Sequence, residues 1–177
     1  MGHLTTSAAV PRPRLVDVSP KPPTARAAVA EATLFVAAGA GPPAVWWPVD
    51  VAAEAALMAT ASVAGVGAAK RTSSLIPLCH PLPLDGADVA VRRPAPAPGG
   101  GWAVTVTAAV RTTQRTGVEM EALAAAAVGA LALYDMLKGG VAQRCLEVGA
   151  VRVLKKEGGK RDFCREGAAQ DGGAAVT

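Results

Sequence analysis

Apolar positions along this chain come in a few blocks, each set off by proline, glycine or charge. Residues 50–69 are almost unbroken Ala, Val, Leu and Met behind Asp50, which predicts a helix with an aspartate N-cap. Gly65 and Gly67 weaken its end, while Ala61, Ser62, Ala64, Gly65 and Ala68 are small enough for close packing on a neighbour. Residues 117–138 give the strongest helical pattern, closing at Gly139-Gly140 with Lys138 in the last turn. Strands are expected at 32–38, after a short charged stretch, at 82–92, at 102–112 and at 145–155. Gly39 to Pro43 reads as a turn, and Pro94 to Gly101 as an exposed, mobile hairpin loop. The order strand, helix, two strands, helix, strand predicts an α+β fold: a ferredoxin-like sandwich, a largely antiparallel sheet with helices on one face. The expected layout is a flexible N-terminal lead over 1–14, one domain over 15–163 and a disordered tail over 164–177.

Composition narrows this picture. Of 177 residues 51% are hydrophobic but only 3% aromatic, so the core must be built from Ala, Val and Leu. No apolar run reads as a membrane span, and no basic-then-apolar secretory signal opens the chain. Three cysteines, Cys79, Cys145 and Cys164, show no CxxC spacing. That argues against a disulfide framework and a zinc site, and fits a reducing cytoplasm. A net charge of +4 with scattered basic residues does not make a nucleic-acid surface, because aromatic residues do not alternate with the cations. The same excess suits either a merely solvated surface or a site for a phosphorylated small molecule.

Candidate chemistry lies in three segments. Leu75-Ile-Pro-Leu-Cys-His-Pro-Leu82 holds His80 and Cys79 between two prolines, in a stiff turn. His80 is either a satisfied core histidine or a group held for chemistry. Thr116 to Leu123 sets Glu119, Met120 and Glu121 among apolar neighbours, and Tyr134 to Lys138 does the same for Asp135 and Lys138. Glu121 and Asp135 sit on one predicted helix but about 21 Å apart along its axis. If both serve one reaction, the site lies between subunits. Asp135 and Lys138, at i and i+3, equally suit a solvated ion pair at a helix end. Lys70 and Arg71 are candidates to face a triphosphate. Gly158-Gly159-Lys160 is either an anion cradle or a plain turn.

Taken together, LVDVSPK (15–21), VAGVGAAKRT (63–72), LIPLCHPLPL (75–84), RTGVEMEAL (115–123), ALYDMLK (132–138) and VRVLKKEGGK (151–160) resemble the cyclic pyranopterin monophosphate synthase family of molybdenum cofactor biosynthesis. The resemblance implies rearrangement of 3′,8-cyclo-7,8-dihydro-GTP to a pyranopterin with a cyclic phosphate, releasing pyrophosphate. It implies no required metal or organic cofactor, with magnesium (Mg) as a possible companion of the substrate phosphates. It also implies a homo-oligomer, a hexamer built as a trimer of dimers, with interface active sites. By the same resemblance, substrate binding falls to Leu78, Cys79, His80, Glu119, Met120 and Glu121, with Lys70 and Arg71 toward the phosphates. Catalysis falls to Asp135, Lys138 and His80. The chain departs from the family pattern at its Lys-Gly-Asp-Val segment: the lysine position is Glu54 by ungapped counting, or Pro48 in a shifted alignment. An acid where a base is usual reverses the local electrostatics. Two readings follow: an active synthase with another cation in that place, or a paralogue that keeps fold and assembly alone.

Overall fold

The computed structural model of the chain describes Leu4–Thr5 and residues 12–165. A two-residue pairing of β1 (Leu4–Thr5) with β2 (Arg12–Pro13) is all of the expected lead that is described before Arg14; the rest lies outside the described residues. The body is built from β3 (Thr24–Val36), α1 (Pro43–Trp46), α2 (Val51–Ala69), α3 (Thr72–Leu75), β4 (Gly86–Val91), β5 (Ala95–Pro96), β6 (Trp102–Gln114), α4 (Glu119–Leu137), β7 (Leu146–Glu157) and β8 (Phe163–Cys164). The sheet runs β4-β6-β3-β7-β8 with every pairing antiparallel, and β5 pairs with β6. With α2 and α4 packed on it, this is the ferredoxin-like α+β sandwich. Cys164, placed in the tail by sequence, belongs to β8 and pairs with Lys155; residues 166–177 lie outside the described residues.

β3 starts eight residues before the expected strand. Ala28, Ala30, Ala32, Leu34 and Val36 are buried on the helix side, and the alternate residues point to the other face. There Glu31 meets Arg152 of β7 at 2.5 Å. The charges interrupt the apolar run without interrupting the strand. β4, by contrast, begins later than expected, because Pro81 and Pro83 have no amide to give to a ladder. The stretch before it is tied instead by the Thr112 hydroxyl to the Pro83 carbonyl at 2.5 Å and by the Asp85 amide to the Arg111 carbonyl at 2.9 Å. The expected turn at 39–43 is a 3-10 turn over Ala38–Ala40 followed by α1. The loop over 94–101 is a hairpin pinned by Ala95 and Pro96 on β6.

α2 starts where its sequence says: Asp50 accepts the Ala53 amide at 2.9 Å. It runs antiparallel to α4 at very close range. A Cβ added to Gly65 would stand 2.8 Å from the Ala125 carbonyl oxygen, and one added to Gly129 would stand 2.9 Å from Val106 and 3.4 Å from the Ala61 carbonyl. By length and composition both helices meet the measure for a membrane span, at mean hydropathy 1.5, contrary to the sequence expectation. Their apolarity has a structural use, because Leu57, Ala61, Gly65, Ala125, Gly129 and Leu133 form the inner side of the layer that closes the core.

Candidate functional site

The antiparallel helix pair gives the molecule two chemically different ends. One holds the C-terminus of α2 and the N-terminus of α4. The other holds the N-terminus of α2 and the C-terminus of α4.

At the first end, the turn at 76–79 is closed by the Cys79 amide on the Ile76 carbonyl at 3.0 Å, as its prolines predict. His80 follows, and its Nε2 lies 2.8 Å from the Val16 carbonyl. A carbonyl only accepts, so Nε2 carries a proton, and in the neutral ring Nδ1 is left as the acceptor. Leu78, Cys79, His80 and Leu82 face Thr116, Gly117, Glu119, Met120 and Glu121 across a hollow of about 290 Å³. The structure therefore brings together six of the residues singled out by sequence.

The two glutamates differ sharply. Glu121 is 4% exposed. Burial first, and then the charge of Glu119, push its carboxyl above the ordinary range, against the pull of its own backbone amide and of His80. Burial also acts to raise Glu119, but the Lys156 ammonium at 2.8 Å, the helix amide and Arg26 outweigh it and hold the carboxylate low. Burial and the charge of Glu121 raise the Cys79 thiol, so it is held as a neutral group.

Thr116, Gly117 and Glu119 also line a second, larger hollow of about 480 Å³. Lys21, Arg26, Arg115, Lys156 and Lys160 all face it, against the carboxylates Glu119 and Glu157. These cations arrive from four segments. The Arg115 guanidinium holds the Ser19 carbonyl at 2.6 Å, which fastens the stretch bearing Lys21 across the cleft. Arg26 comes from the start of β3, with its Nε buried and lacking a hydrogen-bond partner. The last two come from β7 and the turn after it, where Gly158 has φ +82 and its missing Cβ would fall 1.8 Å from the Ala25 carbonyl oxygen. Sequence singled out Gly158-Gly159-Lys160, but not Arg26, Arg115 or Lys156 as a set. Arg115 had a local signal, being three residues ahead of Val118 in the glutamate motif. The others meet only through sheet register, which sets Ala27 beside Glu157 and Ala28 beside Lys156. Lys70 and Arg71 stand exposed at the end of α2 and line neither hollow.

Asp135 and Lys138 form an ion pair at 2.5 Å at the opposite end, with side chains 71% and 46% exposed. The bonds to Asp135 raise the Lys138 ammonium. Among the described residues, this pair and His80 stand at opposite ends of the helix pair. Among the described residues no group of three or more His, Cys, Asp and Glu is placed to hold a metal ion.

A basic cleft beside a histidine and two differently tuned carboxylates, on a ferredoxin-like frame, is chemically suited to a small anionic molecule. The chain belongs to the MoaC family, which its residues 15–159 match. It is 40% identical over 161 residues to the cyclic pyranopterin monophosphate synthase of Xanthomonas campestris pv. campestris, covering 85% of this chain and 87% of that one. The synthase of Deinococcus radiodurans is 42% identical over 159 residues, covering 84% and 82%. Cyclic pyranopterin monophosphate synthase 2 of Mycobacterium tuberculosis is 53% identical over 108 residues, covering 59% and 58%.

Proposed function

We propose that the chain is a cytoplasmic lyase of molybdenum cofactor biosynthesis that converts 3′,8-cyclo-7,8-dihydro-GTP to cyclic pyranopterin monophosphate and pyrophosphate. The observation that carries the reading is the adjacency of the two hollows: five cations line the larger, His80 and Glu121 line the smaller, and Thr116, Gly117 and Glu119 border both. A triphosphate in the cleft meets Arg26, Lys21, Arg115, Lys156 and Lys160, whose positive charges face the phosphate oxygens. When a substrate hydroxyl bonds to the α-phosphorus, the bond to pyrophosphate breaks, and these cations hold the charge that develops on the leaving group. The hydroxyl proton passes to a base. The ring rearrangement needs further proton transfers, for which Nδ1 of His80 is placed as an acceptor and Glu121, favoured in its neutral form, as a donor. The reading requires no cofactor, with magnesium an optional companion of the phosphates.

Asp135 and Lys138 enter the reaction from a second copy. Met120, Ala124, Ala127, Leu131, Asp135 and Lys138 fall on one outer stripe of α4, spaced by three or four residues, with Met120 and Leu131 exposed. Two such stripes packed antiparallel cover that apolar surface and carry Asp135 of a second copy toward the N-terminal end of the first copy's α4, the end that holds Glu121. Trimerisation of such dimers gives a hexamer.

The test is turnover by the purified full chain with 3′,8-cyclo-7,8-dihydro-GTP, following pyrophosphate and cyclic pyranopterin together. Both products appearing in step are expected. A folded oligomer that yields neither overturns the reading in favour of a paralogue without activity.

A further inference from the structure

Glu54 is the one charged residue of α2, and it is buried at 7% exposure. A buried carboxylate is costly unless it is paired and hydrogen-bonded. Here it accepts the Trp47 indole N–H at 2.6 Å and the Arg93 guanidinium. The hydrogen bond from Arg93, then that from Trp47, holds its carboxyl below the ordinary range. Arg93 itself is not buried: its side chain is 71% exposed. Its backbone is fixed on both sides, by the Arg92 amide on the Thr105 carbonyl at 2.8 Å and by the pairing of Ala95 with Ala103. A guanidinium has five N–H donors, and the Glu54 carboxylate accepts from Nη2. The rest of the fork is presented to solvent in a set orientation, so binding an oxyanion loses little side-chain freedom.

Neutralising Glu54 does not by itself account for the pair, since a buried ion pair can often be replaced by apolar residues of similar volume without loss of stability. The position of the pair points elsewhere. Gly65 lies against Ala125 and Ala61 against Gly129, so the same register sets residue 54 opposite 136. Arg93 thus stands at the end of the helix layer that carries Asp135 and Lys138. This inference rests on the shared-site reading above: an end that delivers Asp135 to a neighbour's cleft delivers Arg93 with it. We propose that Arg93 is an oxyanion-binding residue of the composite site, contacting a phosphate of the substrate, and that Glu54 is its positioning residue.

Arg93→Gln, Glu54→Gln and the double variant Glu54→Leu/Arg93→Leu test it, the last removing both charges so that no buried carboxylate is stranded. Substrate KM is expected to rise about tenfold or more in Arg93→Gln and in the double variant, with a smaller change in kcat and unchanged oligomeric state. Glu54→Gln, which still accepts the indole N–H, is expected to lie between. Calorimetric titration with pyrophosphate, the probe, is expected to show the same order of weakening. Wild-type KM and pyrophosphate affinity in the folded double variant overturn the proposal. If the wild type makes no product yet its pyrophosphate affinity depends on Arg93, the anion contact stands and the functional reading falls.

Discussion

Glu119 and Glu121 share the first turn of α4 and are driven in opposite directions, which separates an anion partner from a proton reservoir within one motif. The sign of the stability linkage for Glu121 follows. A carboxyl raised in the fold contributes stability that is present below its unfolded pKa and is lost as pH rises through the folded one. Glu121→Gln should therefore melt higher than wild type at pH 8, with the gap closing toward pH 4, while turnover falls by about 10²-fold or more. Thermal melts across that range, run beside the activity assay, check both halves; equal melts at pH 8 would remove the linkage. At this scale the sequence exposed the motif residues well, since charges in apolar surroundings are conspicuous. It did not expose Arg26 or Lys156, because alternate residues of a strand show nothing about which cation meets which carboxylate across the sheet.

At the scale of elements, the helices were the most legible parts. Asp50 starts α2 and Gly139 follows α4, as the capping residues indicate. The strand β3 was half hidden, because Arg26 on its helix side and Glu31 on its open face stand where an apolar count expects a break. The seam between α2 and α4 makes a paired prediction. Gly67 has open space around its missing Cβ, so Gly67→Ala should stabilise by about 0.5–1 kcal/mol, as alanine normally does in a helix. Gly65 has a backbone oxygen 2.8 Å from that position, so Gly65→Ala should destabilise by about 1–3 kcal/mol despite its better propensity. Urea unfolding of both variants decides it, and shifts of the same sign would contradict the packing described. Removing the cap by Asp50→Ala should cost about 0.5–2 kcal/mol in the same assay.

For the whole molecule, the proposed shared site makes a prediction from the separation of Asp135 and His80: activity should be a property of pairs of chains. His80→Asn and Asp135→Asn should each be inactive alone. Mixed in equal amounts through reversible dissociation, they should recover about a quarter of wild-type turnover, since half the dimers are mixed and each has one intact site. No recovery from demonstrably mixed oligomers would place both groups in separate roles. The same separation affects how the protein can be watched. All three tryptophans lie at the Asp135 end: Trp46 and Trp102 both donate to the Gly41 carbonyl at 3.2 Å, and Trp47 donates to Glu54. The cleft end has none, so ultraviolet emission from an isolated chain is blind to anything bound among its cations. The proposed docking of a neighbour should place those indoles beside a filled cleft, which would give the protein a built-in optical reporter of assembly, read without any attached dye.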